Sequence, residues 1–374
     1  MNEAKQFGYS TLRIPFSNEM WELDPIPNSN TISACSTCKG KHARDILAQI
    51  INYAGSIGLH VNLDNHRSAA GNSAEANGLW YTTGHTSYPE SSWTNDWLHI
   101  MDWVHGIQQT QGATDTVTVN YLASDGFPIV LGFELRNEPH TVCGRRGCDY
   151  LGGATWGSGD GIAPATNPNP NPFAVSCTSS STCHDWRLAA ERAGDLILGE
   201  AASHGWDNPL IFVEGISQYP IASGTPASGP YDFYWNGGQL QGVNGNAANA
   251  GAPIVLNAGG NATSLGPSVS NQLVFSPHDY GPTVFAQPWF TTNTCYVNGC
   301  SANSLADIWV NHWAFINLGQ VNPVWPGHAS YPWGNTGATA TPAFRSGSAN
   351  SAPATPPPRS APLHTALKVS GLWI

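Results

Sequence analysis

The ten residues LGFELRNEPH, Leu131 to His140, join an apolar stretch to an unbroken run of polar side chains. The apolar half is typical of a buried β-strand, and the polar half begins where such a strand would end. Enzymes built on parallel strands carry their chemistry at this end. A carboxylate beside an amide, as in Asn137 and Glu138, suits glycosidic cleavage, because the acid protonates a leaving oxygen while the amide binds a neighbouring sugar hydroxyl.

The same pattern recurs along the chain. Apolar runs that end on polar residues alternate with amphipathic helical segments, which predicts parallel strands joined by helical crossovers. The polar residues at the predicted strand ends are Arg13, Asp64 to Arg67, Asn137 to His140, Glu214, and His278 to Tyr280. We therefore expect an α/β domain with its site at the rim of strand ends. Residues Ser223 to Ala252 interrupt the pattern and are expected to form a surface loop.

The composition of the chain limits the kinds of molecule that it can bind. The net charge of -11, with only 14 scattered Lys and Arg, excludes the concentrated basic face that nucleic acid requires. No apolar window is long enough to span a bilayer, so no membrane partner is expected. Fifteen Trp among many Gly and Pro predict polar loops that carry aromatic rings, on which sugars stack.

The eight cysteines fall into four close pairs, which predict local disulfides and an oxidising, extracellular compartment. The pairs are Cys35 with Cys38, Cys143 with Cys148, Cys177 with Cys183, and Cys295 with Cys300. A zinc site at CSTC and His42 is disfavoured because no second ligand pair stands at finger spacing. The first residues, MNEAKQFGYS, show no apolar secretion signal, so the start of the chain is expected to be incomplete.

Taken in order, RIPFS, DNHR, NEPH, VEG and SPHDYG at successive strand ends resemble glycoside hydrolase family 5, the retaining cellulases and their relatives. YWNGG and DWRLAAERAG are similar to segments of its bacterial endo-β-1,4-glucanases, and the likeness covers residues from about 5 to 325. The resemblance implies a TIM (β/α)8 barrel that hydrolyses cellulose-type β-glucan as a monomer, with two carboxylates and without metal or cofactor.

The resemblance also implies roles for individual residues. Glu138 would be the acid/base. The substrate-binding set would be Arg13, His66, Asn137, His278, Tyr280 and Trp235. Within that set Arg13 would keep the nucleophile ionised, His278 and Tyr280 would position acid and nucleophile, and Trp235 would be a platform for a sugar ring. Glu214 would accompany the catalytic pair in a structural role.

The chain departs from the family where the nucleophile should be. The seventh strand of the family reads PVW, two residues, then glutamate, whereas PVWPGH here places His328 at that position. Residues 326–374 contain no Asp or Glu, are rich in Pro, Ser and Ala, and are expected to be disordered. We therefore expect residues 1–325 to form a partial barrel without strand one and without the end of strand seven through helix eight, with a frameshift as one explanation of the tail.

The missing carboxylate leaves three interpretations of the activity open: a fragment of an endoglucanase, a glucan-binding protein without activity, or a member that acts on another polymer. A retaining mechanism needs a second carboxylate about 5–5.5 Å from the acid, so severely reduced hydrolysis is expected. The chain would then be a fragment of an endoglucanase or a catalytically dead glucan-binding protein. Mannanases and other β-glycanases share the same rim residues, so the polymer itself stays open.

Overall fold

The computed structural model describes residues 1–82, 88–108, 114–141, 153–158, 183–206, 209–220, 231–245, 251–256, 272–285, 287 and 308–318. The helices are α1 Asn2–Gln6, α2 Asn18–Leu23, α3 Ala43–Ser56, α4 Glu90–Val104, α5 Trp186–Ser203, α6 Gln241–Asn244 and α7 Phe315–Leu318, with a 3-10 turn at Ser36–Cys38 and a π-helical turn at Val310–Ala314. The strands are β1 Thr11–Ser17, β2 His60–Arg67, β3 Val130–Glu134, β4 Leu210–Val213, β5 Gln218–Pro220, β6 Tyr231–Phe233 and β7 Leu273–Phe275.

Five strands form one parallel sheet in the order β1-β2-β3-β4-β7, and β5 with β6 forms a separate antiparallel pair. A doubly wound sheet reverses its strand order at a switch point, whereas this sheet follows chain order throughout, as consecutive barrel strands do. The α/β prediction is confirmed. The predicted seventh strand, His328 and residues 326–374 lie outside the described residues.

The two faces of the sheet differ in chemistry because successive side chains alternate between them. On β2, Val61 and Leu63 belong to the hydrophobic core. Asn62 and Asp64 alternate with them and are also buried. Asn62 pairs in register with Arg13 of β1, and Asp64 with Glu134 of β3. One face is therefore an apolar core and the other a buried polar layer.

Most of the described tryptophans are packed inside the molecule, which corrects the expectation of aromatic rings on polar loops. The buried ones are Trp21, Trp80, Trp93, Trp97, Trp103, Trp156, Trp186, Trp206 and Trp235. Trp93 of α4 donates its indole N–H to the Leu135 carbonyl at 2.9 Å, and Trp186 of α5 donates to the Glu214 carbonyl at 2.9 Å. These rings fill the core and also attach two helices to strand ends, because an indole has an apolar body and one polar donor.

The surface-loop expectation for Ser223 to Ala252 is wrong for residues 231–245. Tyr234 and Leu240 are completely buried there. The buried Asp232 carboxylate accepts the Gln241 side-chain amide at 2.5 Å and lies 3.2 Å from His312 Nε2. Burial is possible because the polar side chains of the segment find partners inside the protein.

The disulfide between Cys35 and Cys38 is present. Cys183 is also disulfide-bonded, but its predicted partner Cys177 and the other predicted pairs lie outside the described residues. In the described part of the chain, no helix combines the length and apolar character needed to cross a bilayer.

Asp45 in the first turn of α3 attaches the segment that leads towards β3. Its carboxylate accepts the backbone N–H groups of Thr116 at 2.7 Å and Val117 at 2.8 Å, and also the Thr116 hydroxyl. Burial alone would raise the pKa of Asp45, but the hydrogen bonds from Thr116 and Val117 outweigh it and leave the pKa below its ordinary value. The ionised form is therefore the one that stabilises the fold.

We expect Asp45→Asn to lower the free energy of unfolding by about 1–2 kcal/mol near neutral pH, because the amide nitrogen cannot accept the Thr116 hydroxyl proton. Since the folded pKa of Asp45 is depressed, the deficit should be complete above the unfolded value of about 3.9 and should shrink as pH falls below it. Thermal melts across pH measure this, with the exposed Glu3→Gln as the control for loss of one charge. A deficit that grows on acidification would contradict the assignment.

Candidate active site

Arg13 of β1 is the centre of the buried polar layer. Its Nη1 lies 2.7 Å from Asp64 Oδ2, its Nη2 lies 3.1 Å from Glu214 Oε1, and its Nε bonds to Glu134. All three carboxylate side chains have 0% exposure. Burial alone would lower the pKa of Arg13, but the three carboxylates together raise it above its ordinary value. One guanidinium therefore faces acids from β2, from β3 and from the residue after β4.

The backbone at Glu138 is left-handed, with φ 50°. For a residue with a Cβ this conformation costs about 1–3 kcal/mol and persists only where its surroundings enforce it. The Glu138 N–H donates to Glu214 Oε2 at 2.7 Å, and the Glu138 carbonyl lies 2.8 Å from His140 Nδ1. The turn after β3 is therefore held through both backbone polar groups of Glu138.

The Glu138 carboxyl faces His278 and Tyr280, which follow β7. Its Oε1 lies 2.8 Å from His278 Nδ1 and accepts the Tyr280 hydroxyl. The other ring nitrogen of His278, Nε2, lies 2.8 Å from Glu214 Oε1. The Glu138 side chain is 14% exposed and that of Glu214 is 0% exposed, so only Glu138 of these two carboxyls reaches solvent.

The two carboxyls have opposite pKa shifts. Burial would raise the pKa of Glu138, but the hydrogen bond and charge of His278, followed by Tyr280 and His66, lower it below its ordinary value. Burial raises the pKa of Glu214 to about 7, against the lowering effect of His278 and Arg13. Pairs of acids with separated pKa values are typical of sites that move protons.

The remaining predicted residues join the same region. Asn137 Oδ1 accepts Arg13 Nη2 at 2.9 Å. His66 Nδ1 lies 2.9 Å from Asp64 Oδ2. The Trp235 ring packs edge-on against Tyr280, with centroids 5.2 Å apart. Their roles towards sugar stay predictions, and for Trp235 a platform role requires more exposure than the 7% it has here.

Sequence reasoning missed three residues of the buried polar layer, namely Asn62, Glu134 and Ser276. Glu134 accepts hydrogen bonds from Asn62 Nδ2 at 3.2 Å and Ser276 Oγ at 3.1 Å, in addition to Arg13. The signal available in the sequence was a charged residue inside the apolar run of β3. A charged side chain is buried only when it has partners, so its position indicated a buried polar contact.

One cluster in this buried layer has the composition of a cation site. Glu134, Glu214 and His278 offer ligand atoms within 4.8 Å of one another. Both carboxylates contact the Arg13 guanidinium, which already supplies positive charge at this point. The prediction that the site uses no metal is compatible with this arrangement and stays a prediction.

Gly237, in the YWNGG segment, lies against the bond between Glu138 and Glu214. Its φ is 73°, and a Cβ at this position would come within 2.2 Å of Glu214 Oε2 and 3.2 Å of the Glu138 Cα. Its carbonyl accepts the Gly215 N–H at 2.7 Å and the His278 N–H at 3.3 Å. A residue without a side chain is required for this close approach.

Parallel strands in chain order, with an acid, an amide and two histidines near their carboxyl ends, are the arrangement expected of an α/β-barrel glycoside hydrolase. The family model Cellulase (glycosyl hydrolase family 5) matches residues 1–325, and the chain belongs to this family. The predicted family and the barrel class of the fold are confirmed, while the predicted absence of strand one and of the end of strand seven through helix eight stays a prediction.

Curated relatives agree. The chain is 31% identical over 324 residues to an endoglucanase of Paenibacillus polymyxa, covering 87% of this chain and 58% of that protein. It is 28% identical to Endoglucanase G of Acetivibrio thermocellus over 86% of this chain and 51% of that protein. It is 27% identical to the major extracellular endoglucanase of Xanthomonas campestris pv. campestris, over 83% of this chain and 45% of that protein. The chain thus spans about half the length of these relatives.

Solved structures show the same likeness. A variant of the endocellulase from Pyrococcus horikoshii in complex with cellotetraose matches with a TM-score of 0.54 and 28% identity, over 85% of this chain and 64% of that one. The catalytic domain of the major endoglucanase from Xanthomonas campestris pv. campestris matches with a TM-score of 0.51 and 26% identity, over 84% and 64%.

We expect Gly237→Ala to destabilise the fold by about 1–3 kcal/mol more than a strain-only control, because its methyl group overlaps the Glu214 carboxylate. Gly205→Ala is that control, since Gly205 has a φ of 72° and nothing within 4 Å of its Cβ position. Both variants carry the cost of a left-handed alanine, and only one carries the clash. Thermal melting and calorimetric binding of cellotetraose measure the difference between the two variants. Equal losses of stability in both would refute the close packing of Gly237 against Glu214.

Proposed function

We propose that this chain is a glycoside hydrolase domain for cellulose-type β-1,4-glucan, with Glu138 as the acid/base and with hydrolysis strongly reduced by the residue at the nucleophile position. The observation that carries the proposal is the Glu138 carboxyl at the end of β3, partly exposed and held by His278 and Tyr280. A glucan that covers this carboxyl would remove water from it and raise its pKa, which favours the protonated form that a general acid needs.

The proton-donating half of a retaining mechanism is supported by the described residues. His278 and Tyr280 hold the carboxyl towards the rim, and Asn137 precedes it with its side chain on Arg13. When Glu138 gives its proton to the leaving oxygen, the resulting carboxylate is stabilised by the same two donors. No change of geometry is required in that step.

The bond-forming half depends on a residue outside the described range. Sequence spacing places His328 where the family has its nucleophilic glutamate. An imidazole at that position supplies no carboxylate for a glycosyl ester, so we propose that the natural two-step reaction is slow.

The substrate class is supported by the relatives, which are named endoglucanases, and by the structural match to an endocellulase bound to cellotetraose. Extracellular action is proposed because one relative is named an extracellular endoglucanase and because Cys35 and Cys38 form a disulfide. A monomer is proposed from the sequence resemblance. Mannan-type and xyloglucan-type oligosaccharides are the comparison substrates.

A second candidate, favoured by His328, is a glucan-binding protein without turnover. It would bind cello-oligosaccharides in the same cleft. Calorimetric binding of cellotetraose without any product after long incubation would favour this candidate over a slow hydrolase.

We expect Glu138→Gln to lower the rate on cellotetraose by about 10²–10⁴-fold, because its leaving sugar needs a proton from a general acid. The loss should be much smaller on 2,4-dinitrophenyl β-cellobioside, whose leaving phenolate departs without protonation. Rates on the two substrates, with the exposed Glu3→Gln as a matched control, measure this. Equal losses on both substrates would show that Glu138 is not the acid.

We expect azide to accelerate cleavage of 2,4-dinitrophenyl β-cellobioside by the unmodified chain, since an external anion can attack the anomeric carbon where no protein carboxylate competes. The product should be α-cellobiosyl azide, detected by NMR, and chloride at the same concentration is the control for ionic strength. Rapid hydrolysis of cellotetraose with retention and without any azide effect would reveal another nucleophile and overturn the proposal for His328.

A further inference from the structure

The ring of His278 lies between two carboxyl groups. Its Nδ1 is 2.8 Å from Glu138 Oε1 and its Nε2 is 2.8 Å from Glu214 Oε1. A neutral imidazole has one N–H and one acceptor nitrogen, so it can donate to only one of two carboxylates. Both short contacts together therefore require one proton more than a neutral His278 ring between two ionised carboxylates carries. This proton is shared by the unit formed by Glu138, His278 and Glu214.

The surroundings favour retention of that proton. The His278 side chain is 2% exposed and that of Glu214 is 0% exposed. Among the described residues, the charged and titratable groups that face this unit are Arg13 from β1, Asp64 and His66 from β2, Glu134 from β3, and Tyr280 after β7. One guanidinium is set against Asp64, Glu134, Glu214 and Glu138, so the cluster is net negative without a further proton.

The position of Glu214 is also fixed by a second contact. While Oε1 faces His278, Oε2 accepts the Glu138 N–H at 2.7 Å and supports the left-handed turn. The carbonyl of the same residue accepts the Trp186 indole N–H at 2.9 Å, which anchors its backbone. The pKa of Glu214, raised by burial to about 7, lies close to the ordinary histidine value of about 6.5, so carboxyl and ring compete for the proton.

We propose that Glu214 is a positioning residue for the acid/base: it keeps both ring nitrogens of His278 protonated, with Nδ1–H directed at Glu138, and it holds the Glu138 backbone in its left-handed turn. The inference rests on the proposed function for its catalytic meaning. It deepens that proposal, because a doubly protonated ring places positive charge beside Glu138 when this residue becomes a carboxylate. The protonation of the His278 ring and the support of the Glu138 turn do not depend on whether the chain hydrolyses glucan.

The test is the protonation of the His278 ring in the full chain, read from the ¹⁵N chemical shifts of its two nitrogens and assigned with His278→Gln. In the unmodified chain we expect both nitrogens to stay protonated above the ordinary titration range of about 6.5. In Glu214→Gln the amide cannot hold the proton, so the ring should become neutral with its remaining proton on Nδ1. The midpoint of the ring titration should fall by at least about one pH unit.

Glu134→Gln is the matched control, because it also removes one buried carboxylate and one contact to Arg13. It should lower the ring midpoint much less than Glu214→Gln, and melting curves establish that both variants are folded. A neutral ring in the unmodified chain near pH 6, or equal falls in the two variants, would overturn the proposal. If the ring result holds while Glu138→Gln leaves cellotetraose cleavage unchanged, the proposed function fails and the positioning role of Glu214 stands.

Discussion

The guanidinium of Arg13 bonds to three carboxyl groups that have no access to solvent. An isolated buried carboxylate costs several kcal/mol even after the protein relaxes, and removal of its cation leaves that cost uncompensated. The three acids come from β2, from β3 and from the residue after β4. The ends of four neighbouring strands, including β1 itself, are therefore held around one charge.

That constraint reaches Glu138, the proposed acid/base, through Glu214 and through Asn137, whose side chain also bonds to Arg13. Glu214 uses one carboxylate oxygen for Arg13 and His278 and the other for the Glu138 N–H. Glu138 itself turns outward in a strained backbone and keeps part of its carboxyl in contact with solvent. The contrast between the two acids arises from burial and from partners, because Glu214 is fully enclosed whereas Glu138 is partly exposed and is held by His278 and Tyr280.

The sequence predicts the part of the site that lies at strand ends, because parallel strands bring these residues to one edge whatever the loops between them do. Arg13, Asn137 and His278 are therefore found together as expected. Glu134 escapes this logic, because a strand buried on both faces shows no alternation that would reveal which side a residue takes. The tryptophans show a related limit: composition indicates aromatic rings, but only the helical positions of Trp93 and Trp186 indicate the core.

Glu138, the proposed acid, is held by contacts that lie within the described residues. Every described contact that orients Glu138 comes from residues between Arg13 and Tyr280, including the close approach of Gly237. Arg13 has Nε, Nη1 and Nη2 directed at buried carboxylates, so its charge is required by the fold even where residue 328 is a histidine. These contacts are present in a chain whose residue 328 is a histidine, so the proposed loss of the nucleophile leaves them in place. Under the proposed function, the chain would still bind a glucan and protonate a leaving oxygen, and the attack on the anomeric carbon would limit its rate.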